Sequence, residues 1–522
     1  MRRTIKSLSS AVPPWLLLGA IALITRFPYF FKADIDWDEH TFLLLGQSVL
    51  DGYLPYTGPV MDIKSPFLWY GFAALSAFAF KQLWIIRLLG TIMVAIAGTL
   101  TYSYVKKISD HFQGLFAGIT LILLVNLNAG GQAVLSEHLV LIPLVLTFGL
   151  LVFEPINPKV SYGAGAVATV AAMVRLNLAY AVLFLGIYLT IITLRDRTLA
   201  LGHQLLTIIS YGLGSLTVVM VAILPYAITH QLDQVYFGLI KAPLSYAQEQ
   251  ASILTVIKKQ VQYIFTCHVT SIALAAFSLL IFIAIAIALT TIFSRFKTLT
   301  AIEQKYYQVL LIYWSSIEVS IIKSGVFYPH YNLQLIVFIP LLIAPIFSKI
   351  FTTKSYPWLK KYGYVAWVIT LVHWSLQYQI TIKNIYHTGT PNYGESMEIA
   401  QILKQENPES LPIWITTKHL AYWLNHVYPV TPILTHPSNL KKEFLIKSWY
   451  GDQASTLTEL TNIVQAKPHS IIGTEMERYF QDNPPAQLLL DRLLAQHYQL
   501  IETNYSYLQF YQLKPEPDPP KL

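Results

Sequence analysis

Pro66-Phe67-Leu68-Trp69-Tyr70-Gly71-Phe72-Ala73-Ala74-Leu75-Ser76-Ala77-Phe78-Ala79-Phe80 is the stretch on which the architecture turns. It is apolar but only 15 residues long, short of the roughly 20 that a helix needs to cross a bilayer. Further apolar runs lie at about 12–31, 84–105, 112–128, 138–153, 161–175, 178–194, 205–229, 269–293, 304–322, 331–350 and 362–380. If Pro66–Phe80 also crosses, Lys106 and Lys107 fall outside and Glu137 falls inside. If it lies in the interface, the basic groups Arg2/Arg3/Lys6, Lys106/Lys107, Lys159, Arg195/Arg197, Arg295/Lys297 and Lys349/Lys354/Lys360/Lys361 all become cytoplasmic. That second arrangement obeys the positive-inside rule and gives about eleven transmembrane helices. The N-terminus is then cytoplasmic and the C-terminus extracytoplasmic, in a multi-pass protein of the cell (inner) membrane.

Composition agrees. The 522 residues are 54% hydrophobic and 12% charged, with a mean hydropathy of +0.48; soluble domains carry about 25% charged residues. An ordinary soluble enzyme, a disordered chain and a disulfide-stapled module are thereby excluded. The net charge of +8 is unevenly spread. Residues 1–384 hold 26 Lys/Arg against 14 Asp/Glu, and residues 385–522 hold 10 against 14. The basic excess is thus a topology signal and not a nucleic-acid footprint. Cys267 is the single cysteine, and with His268 it is assigned to structure. Arg2, Arg3 and Lys6 precede the first run as in a signal peptide, but Arg26-Phe27-Pro28 follows in place of a small-residue cleavage site, so that span is read as uncleaved.

From Asn384 onward the apolar runs shorten. Residues 395–405, 456–466 and 485–496 read as helices; 412–416, 470–474 and a pair within 498–513 read as strands. Two domains are expected: residues 1–383, with a first outer loop at 32–83, and a small C-terminal α/β extracytoplasmic domain at 384–522, ending in a disordered Pro515–Pro520.

The first outer loop carries the chemistry. Asp34, Asp36, Asp38, Glu39, Asp51 and Asp62 are six of the 14 acids in the membrane part. Asp38-Glu39 opens a helical stretch to Leu50, where a helix start favours negative charge by roughly 0.3–1 kcal/mol. Such carboxylates serve as a general base or as cation ligands, or simply cap the helix. Ser65-Pro66 has the form of an N-cap followed by a first-turn proline. Its free N–H groups beside Lys64 make an anion site at headgroup depth; the plain alternative is a lysine snorkelling to lipid phosphate.

Trp37-Asp38-Glu39, Gly52-Tyr53-Leu54-Pro55-Tyr56 and Asp62-Ile63-Lys64-Ser65-Pro66-Phe67 together resemble the first outer loop of GT-C glycosyltransferases, nearest to the protein mannosyltransferase and aminoarabinose transferase branch. Ser136-Glu137, Arg175-Leu176-Asn177 and Phe327-Tyr328-Pro329-His330-Tyr331 are similar to that group's short motifs. The resemblance covers residues 15–380. It implies an all-α polytopic GT-C-like fold, with interfacial helices in the first outer loop, that moves a sugar from a polyprenyl-phosphate donor, with inversion, to a lipid, glycan or protein acceptor. By position, Asp38 is the implied catalytic carboxylate, Glu39 its support and Lys64 the holder of the donor phosphate. Lys64-Ser65-Pro66 stands where the family often has Lys-Pro-Pro, and Ser136-Glu137 where it often has Asp or Thr-Asp, so the part played by Glu137 is open.

Arg87, Glu137, Arg175, Asn177, His330 and Tyr331 complete the substrate-binding expectations. Glu137 either binds substrate or pairs with Arg87 or Arg175; the arginines either grip phosphate or snorkel; His330-Tyr331 either touches substrate or belongs to an aromatic belt. Tyr236, Phe237, Tyr246 and Tyr263, in the long 230–268 connection, are expected to shape acceptor binding. No organic cofactor is implied. Asp36, Asp38, Glu39, Asp62 and Glu137 offer oxygen ligands of the kind Mg²⁺ or Mn²⁺ accepts, without a fixed ligand spacing, with Asp38, Glu39 and Glu137 the foremost candidates. Gly163-x-Gly165 is too short to mark a nucleotide site. The competing readings are a transporter or flippase of a lipid-linked saccharide and a polysaccharide-binding scaffold. The first expects polar breaks in mid-span and internal repeats, which this sequence lacks.

Overall fold

The structure, a computed structural model, describes residues 12–128, 130–248, 252–266, 272–325, 327–346, 357–503 and 507–515. Arg2, Arg3, Lys6, Cys267, His268, Lys349, Lys354 and all of the expected Pro515–Pro520 end but its first residue lie outside them. Each apolar run read as a span coincides with a helix over its described residues. They are α1 (Pro14–Arg26, prolonged by a 3₁₀ turn to Phe31), α4 (Leu83–Ile108), α5 (His111–Leu127), α6 (Ser136–Phe153), α7 (Pro158–Val174), α8 (Ala179–Arg195), α9 (Leu201–Ile228), α10 (Ile272–Arg295), α11 (Ala301–Lys323), a broken helix over Pro329–Ile346 and α12 (Pro357–Thr388). Among the described residues, Pro14–Phe31, Leu83–Ile108, Ser136–Phe153, Leu176–Arg195 and Leu201–Ile228 are each long and apolar enough to cross a membrane; Pro329–Ile346, bent by 41° at its break, adds a sixth if it counts as one span.

Between α1 and α4 lie α2 (Trp37–Leu50) and α3 (Pro66–Ala79). At 14 residues α3 is shorter than a span, as its sequence requires. It ends where Phe80 and Lys81 turn left-handed, at φ +47° and +63°. Gly46 of α2 lies against the Phe72 backbone of α3, where an added Cβ would stand 2.5 Å from the Phe72 carbonyl carbon. Phe42 and Phe72 close the contact with ring centres 5.2 Å apart. As a result α2 is buried on nearly every side.

Small residues set the bundle's tightest crossing. Gly165 of α7 and Gly214 of α9 lie against the backbone carbonyls of Tyr211 and Tyr162, leaving no room for a Cβ at either. Close approach at glycine is how helices pack in lipid, where no hydrophobic drive holds them together.

The C-terminal part holds a four-stranded sheet in the order β1-β2-β4-β3, from β1 (Trp414–Ile415), β2 (Ser470–Gly473), β3 (Tyr498–Ile501) and β4 (Gln509–Leu513). β1 runs parallel to β2, and β4 is antiparallel to β2 and β3. The expected helices form as α13 (Glu395–Glu406), α16 (Thr456–Ala466) and α17 (Pro484–His497); α14 (Leu420–Asn425) and α15 (Glu443–Tyr450) were not anticipated. The composition change at Asn384 falls inside α12, not at an element boundary.

One ion pair joins loop and bundle. Arg87 of α4 grips Glu39 of α2 with both ends of its fork, Nε to Oε1 at 2.8 Å and Nη2 to Oε2 at 2.5 Å, and both side chains are fully buried. Glu39 Oε1 also accepts the Val134 N–H at 2.6 Å. Removing one member of a buried pair costs about 3–5 kcal/mol, because the other is left charged and unpaired. Arg87→Met is therefore expected to lower the thermal unfolding temperature in detergent markedly, and Glu39→Leu added to it to recover much of the loss. Gly214→Leu is expected to cost about 1–3 kcal/mol by overpacking, read in the same measurement, whereas Gly212→Leu, where nothing lies within 4 Å, should change little.

Candidate active site between the first loop and the C-terminal part

A cavity of about 800 Å³ opens where α2, the start of α3, the α7–α8 break, the end of α11 and the C-terminal part meet. Asp38 lies at its wall because Asp36 takes the capping position: the Asp36 side chain accepts the Asp38 N–H at 2.9 Å and starts α2. Asp38 Oδ2 is 4.0 Å from Lys64 Nζ and 3.8 Å from His330 Nε2, while Oδ1 is 3.5 Å from His436 Nε2. Burial alone would raise this carboxyl. The Lys64 ammonium and then the two histidines outweigh burial and hold it well below the usual carboxylate range. Asp36 goes the other way: burial and the Asp38 charge push it up to about 7.

Lys64 owes its place to the turn before α3. Asp62 Oδ1 accepts the Lys64 N–H at 3.2 Å, and the Lys64 carbonyl is held by Tyr56 Oη at 2.7 Å and Trp69 Nε1 at 3.1 Å. Burial works against the ammonium, but Asp38 and then Asp62 keep it charged above the ordinary lysine range. Ser65 occupies the N-cap of α3 without a capping hydrogen bond, and its Oγ is buried, unpartnered and part of the cavity wall. The sequence reading of Ser65-Pro66 as a helix start holds.

Arg175, Asn177, His330 and Tyr331 also line the cavity. Arg175 ion-pairs with Glu137, donates to Ser136 Oγ at 2.8 Å and lies 4.8 Å over the Tyr331 ring. Asn177 donates to Ser320 Oγ and Gln334 Oε1, each at 3.0 Å. His330 stacks on Tyr328, with ring planes 1° apart.

Two expectations are corrected and one alternative decided. Glu39 and Arg87 do not face the cavity. They satisfy each other in the bundle, because adjacent helical residues point about 100° apart and Asp38 already faces the opening. Glu137 does not line the cavity either: it is ion-paired with Arg175. With Glu39 and Glu137 so committed, Asp36, Asp38 and Asp62 are the metal candidates that border the opening. Among the described residues, no group of three or more His, Cys, Asp or Glu is placed to hold a metal ion. In the long connection, Pro243 lines the cavity while Tyr236 and Phe237 do not; the side chains of Tyr246 and Tyr263 lie outside the described residues.

The sequence reading missed His436, Ser438, Asn439, Lys442 and Trp449, all from the C-terminal part and all in the wall. Nothing in the sequence separates His436 from the other histidines of that region. Lys442 is lowered by burial and by Lys64.

No family model and no curated protein matches the chain. Among solved structures, ArnT from Cupriavidus metallidurans in the apo state aligns with 97% of this chain and 100% of its own, at 13% identity and a TM-score of 0.59. The same protein bound to undecaprenyl phosphate aligns over 96% and 99%, at 11% identity and a TM-score of 0.58. Over nearly its whole length the chain thus has the fold of ArnT, an aminoarabinose transferase.

Proposed function

We propose that the protein is a membrane glycosyltransferase that moves a sugar from a polyprenyl-phosphate donor to an acceptor at the extracytoplasmic face. The observation that carries this reading is the convergence of Asp38 and Lys64, 4.0 Å apart, in the wall of a cavity of about 800 Å³ between apolar helices and a polar C-terminal part. One structure of similar fold was solved with undecaprenyl phosphate bound, which supports a lipid phosphate as the donor's carrier.

In this reading Lys64, with Arg175 and the free start of α3, holds the donor phosphate and stabilises the charge that grows on it as the glycosidic bond breaks. Arg175 keeps one face for this task because Glu137 neutralises only part of its fork. Asp38, kept ionised by its cationic neighbours, orients the acceptor and draws off its proton as the nucleophile attacks the anomeric carbon. A single displacement inverts that carbon. His330 and Tyr331 shape the sugar side of the cavity. The cytoplasmic N-terminus and extracytoplasmic C-terminal part follow from the distribution of Lys and Arg, and residues 384–522 form the outer domain that covers the site.

Membranes from a strain lacking the gene supply donor and acceptor, and the lipid or glycan modification absent from that strain is the product to measure. Asp38→Asn is expected to reduce its restoration by purified protein by about 100-fold or more without changing thermal unfolding. Normal transfer by that variant would remove Asp38 from the mechanism. Lys64→Met is expected to weaken undecaprenyl phosphate binding in detergent by about 10-fold or more, the cost of losing one charge-assisted contact. Transfer that requires sealed vesicles and fails in detergent would instead favour a flippase.

A further inference from the structure

We propose that His436 is a positioning residue for the Asp38 carboxylate, so that the C-terminal part completes the active site and does not merely cover it. This inference rests on the reading of Asp38 as the reacting carboxylate.

The imidazole is held at Nδ1 and faces Asp38 with Nε2. Nδ1 lies 3.1 Å from the Ser438 backbone N–H and 2.9 Å from Ser438 Oγ. A backbone N–H only donates, so Nδ1 presents its lone pair and the neutral ring carries its proton on Nε2. That proton faces Asp38 Oδ1 at 3.5 Å. The two carboxylate oxygens therefore have different neighbours: Oδ1 meets an N–H donor, while Oδ2 faces Lys64 and His330. A carboxylate held this way keeps one orientation, with Oδ2 left toward Lys64, His330 and the cavity. His436 is not itself the base, since Nε2 already bears its proton and a second on Nδ1 would break the Ser438 contact.

The segment bearing His436 is tied to the two elements that carry Asp38 and Lys64. Thr435 Oγ1 accepts the Met61 N–H at 3.0 Å, three residues before Lys64. The Thr435 carbonyl accepts from Thr41 Oγ1 at 3.4 Å, one turn along α2 from Asp38, and faces His419 Nδ1 at 2.9 Å. Thr435 Oγ1 in turn donates to the Pro432 carbonyl at 2.7 Å, closing the 3₁₀ turn Pro432–Thr435. Trp37 stands edge-on to the His436 ring, with centres 6.3 Å apart. His436 is thus placed by contacts to α2, to the loop before α3 and to its own turn.

Three full-length variants test this: His436→Ala, His436→Gln and Asp38→Asn, the glutamine offering an amide N–H near the place of Nε2. Product formation with membranes of the strain lacking the gene, undecaprenyl phosphate binding in detergent and thermal unfolding are measured for each. His436→Ala is expected to slow transfer by about 10-fold or more, as losses of a supporting contact do, with undecaprenyl phosphate affinity and unfolding temperature unchanged. His436→Gln is expected to restore most of the rate. Wild-type transfer by His436→Ala beside an inactive Asp38→Asn would overturn this inference and leave the glycosyltransferase reading standing. A loss not recovered by glutamine, or matched by an equal loss of lipid-phosphate binding, would overturn it as well, since the ring would then be packing or donor contact. An active Asp38→Asn would remove both.

Discussion

The rest of the structure depends on the buried fork between Arg87 and Glu39. Two charges removed from water at the base of a loop are costly unless every polar atom around them is answered. Here Glu39 also accepts the Val134 N–H, and Arg87 also donates to the Lys32 carbonyl at 3.1 Å and to that of Tyr29. Arg26 works from the other side without any carboxylate. Buried completely, it donates to Asn126 Oδ1 and to the carbonyls of Gly131, Gln132 and Ala133. The segment 131–134 is thereby held between Arg26 and Glu39, and α2 is anchored to it. Because α2 cannot rotate, Asp38 cannot turn from the cavity.

This anchoring lets two adjacent acids do unlike work. Glu39 is surrounded by protein and matched by one guanidinium. Asp38 is partly exposed, with 17% of its side chain open, and faces an ammonium and two imidazoles at 3.5 to 4.0 Å. At such distances the pairing is loose enough for a substrate group to enter between the charges. The Lys64 ammonium, helped by the two imidazoles, gives Asp38 its low proton affinity, while the missing close contact leaves it room to react. Asp36, pushed upward by the same neighbour, serves the helix start.

The sequence made the membrane class, the short α3 and the Asp38–Lys64 pairing readable, since each follows from local patterns: run length, helix-start chemistry and a compact motif. It made Glu39 look like a partner of Asp38 because adjacency in the chain was taken for adjacency in space. Helical geometry separates them by about 100°. Arg87 failed for a related reason: an arginine near a helix end reads the same whether it snorkels, grips phosphate or pairs inward. His436 was out of reach altogether. It lies almost 400 residues from Asp38, and only the fold joins the two.

The acid cluster that first drew attention to the loop has a different meaning once its members are placed. Asp34 receives the Ser396 N–H at 3.1 Å and its hydroxyl at 2.5 Å. Asp51 receives His426 at 2.9 Å and the Tyr428 hydroxyl. These two fasten the loop to the C-terminal part, alongside Lys81, whose ammonium donates to the Trp423 carbonyl at 2.7 Å. Asp36 caps α2, Asp62 shapes the turn that presents Lys64, and Glu39 holds α4. Five of the six carboxylates thus fasten or shape the loop, and together these contacts keep the sixth in place. The density follows from a single short loop that has to be attached at both its ends, to the bundle and to the C-terminal part, while Asp38 stays turned to the cavity.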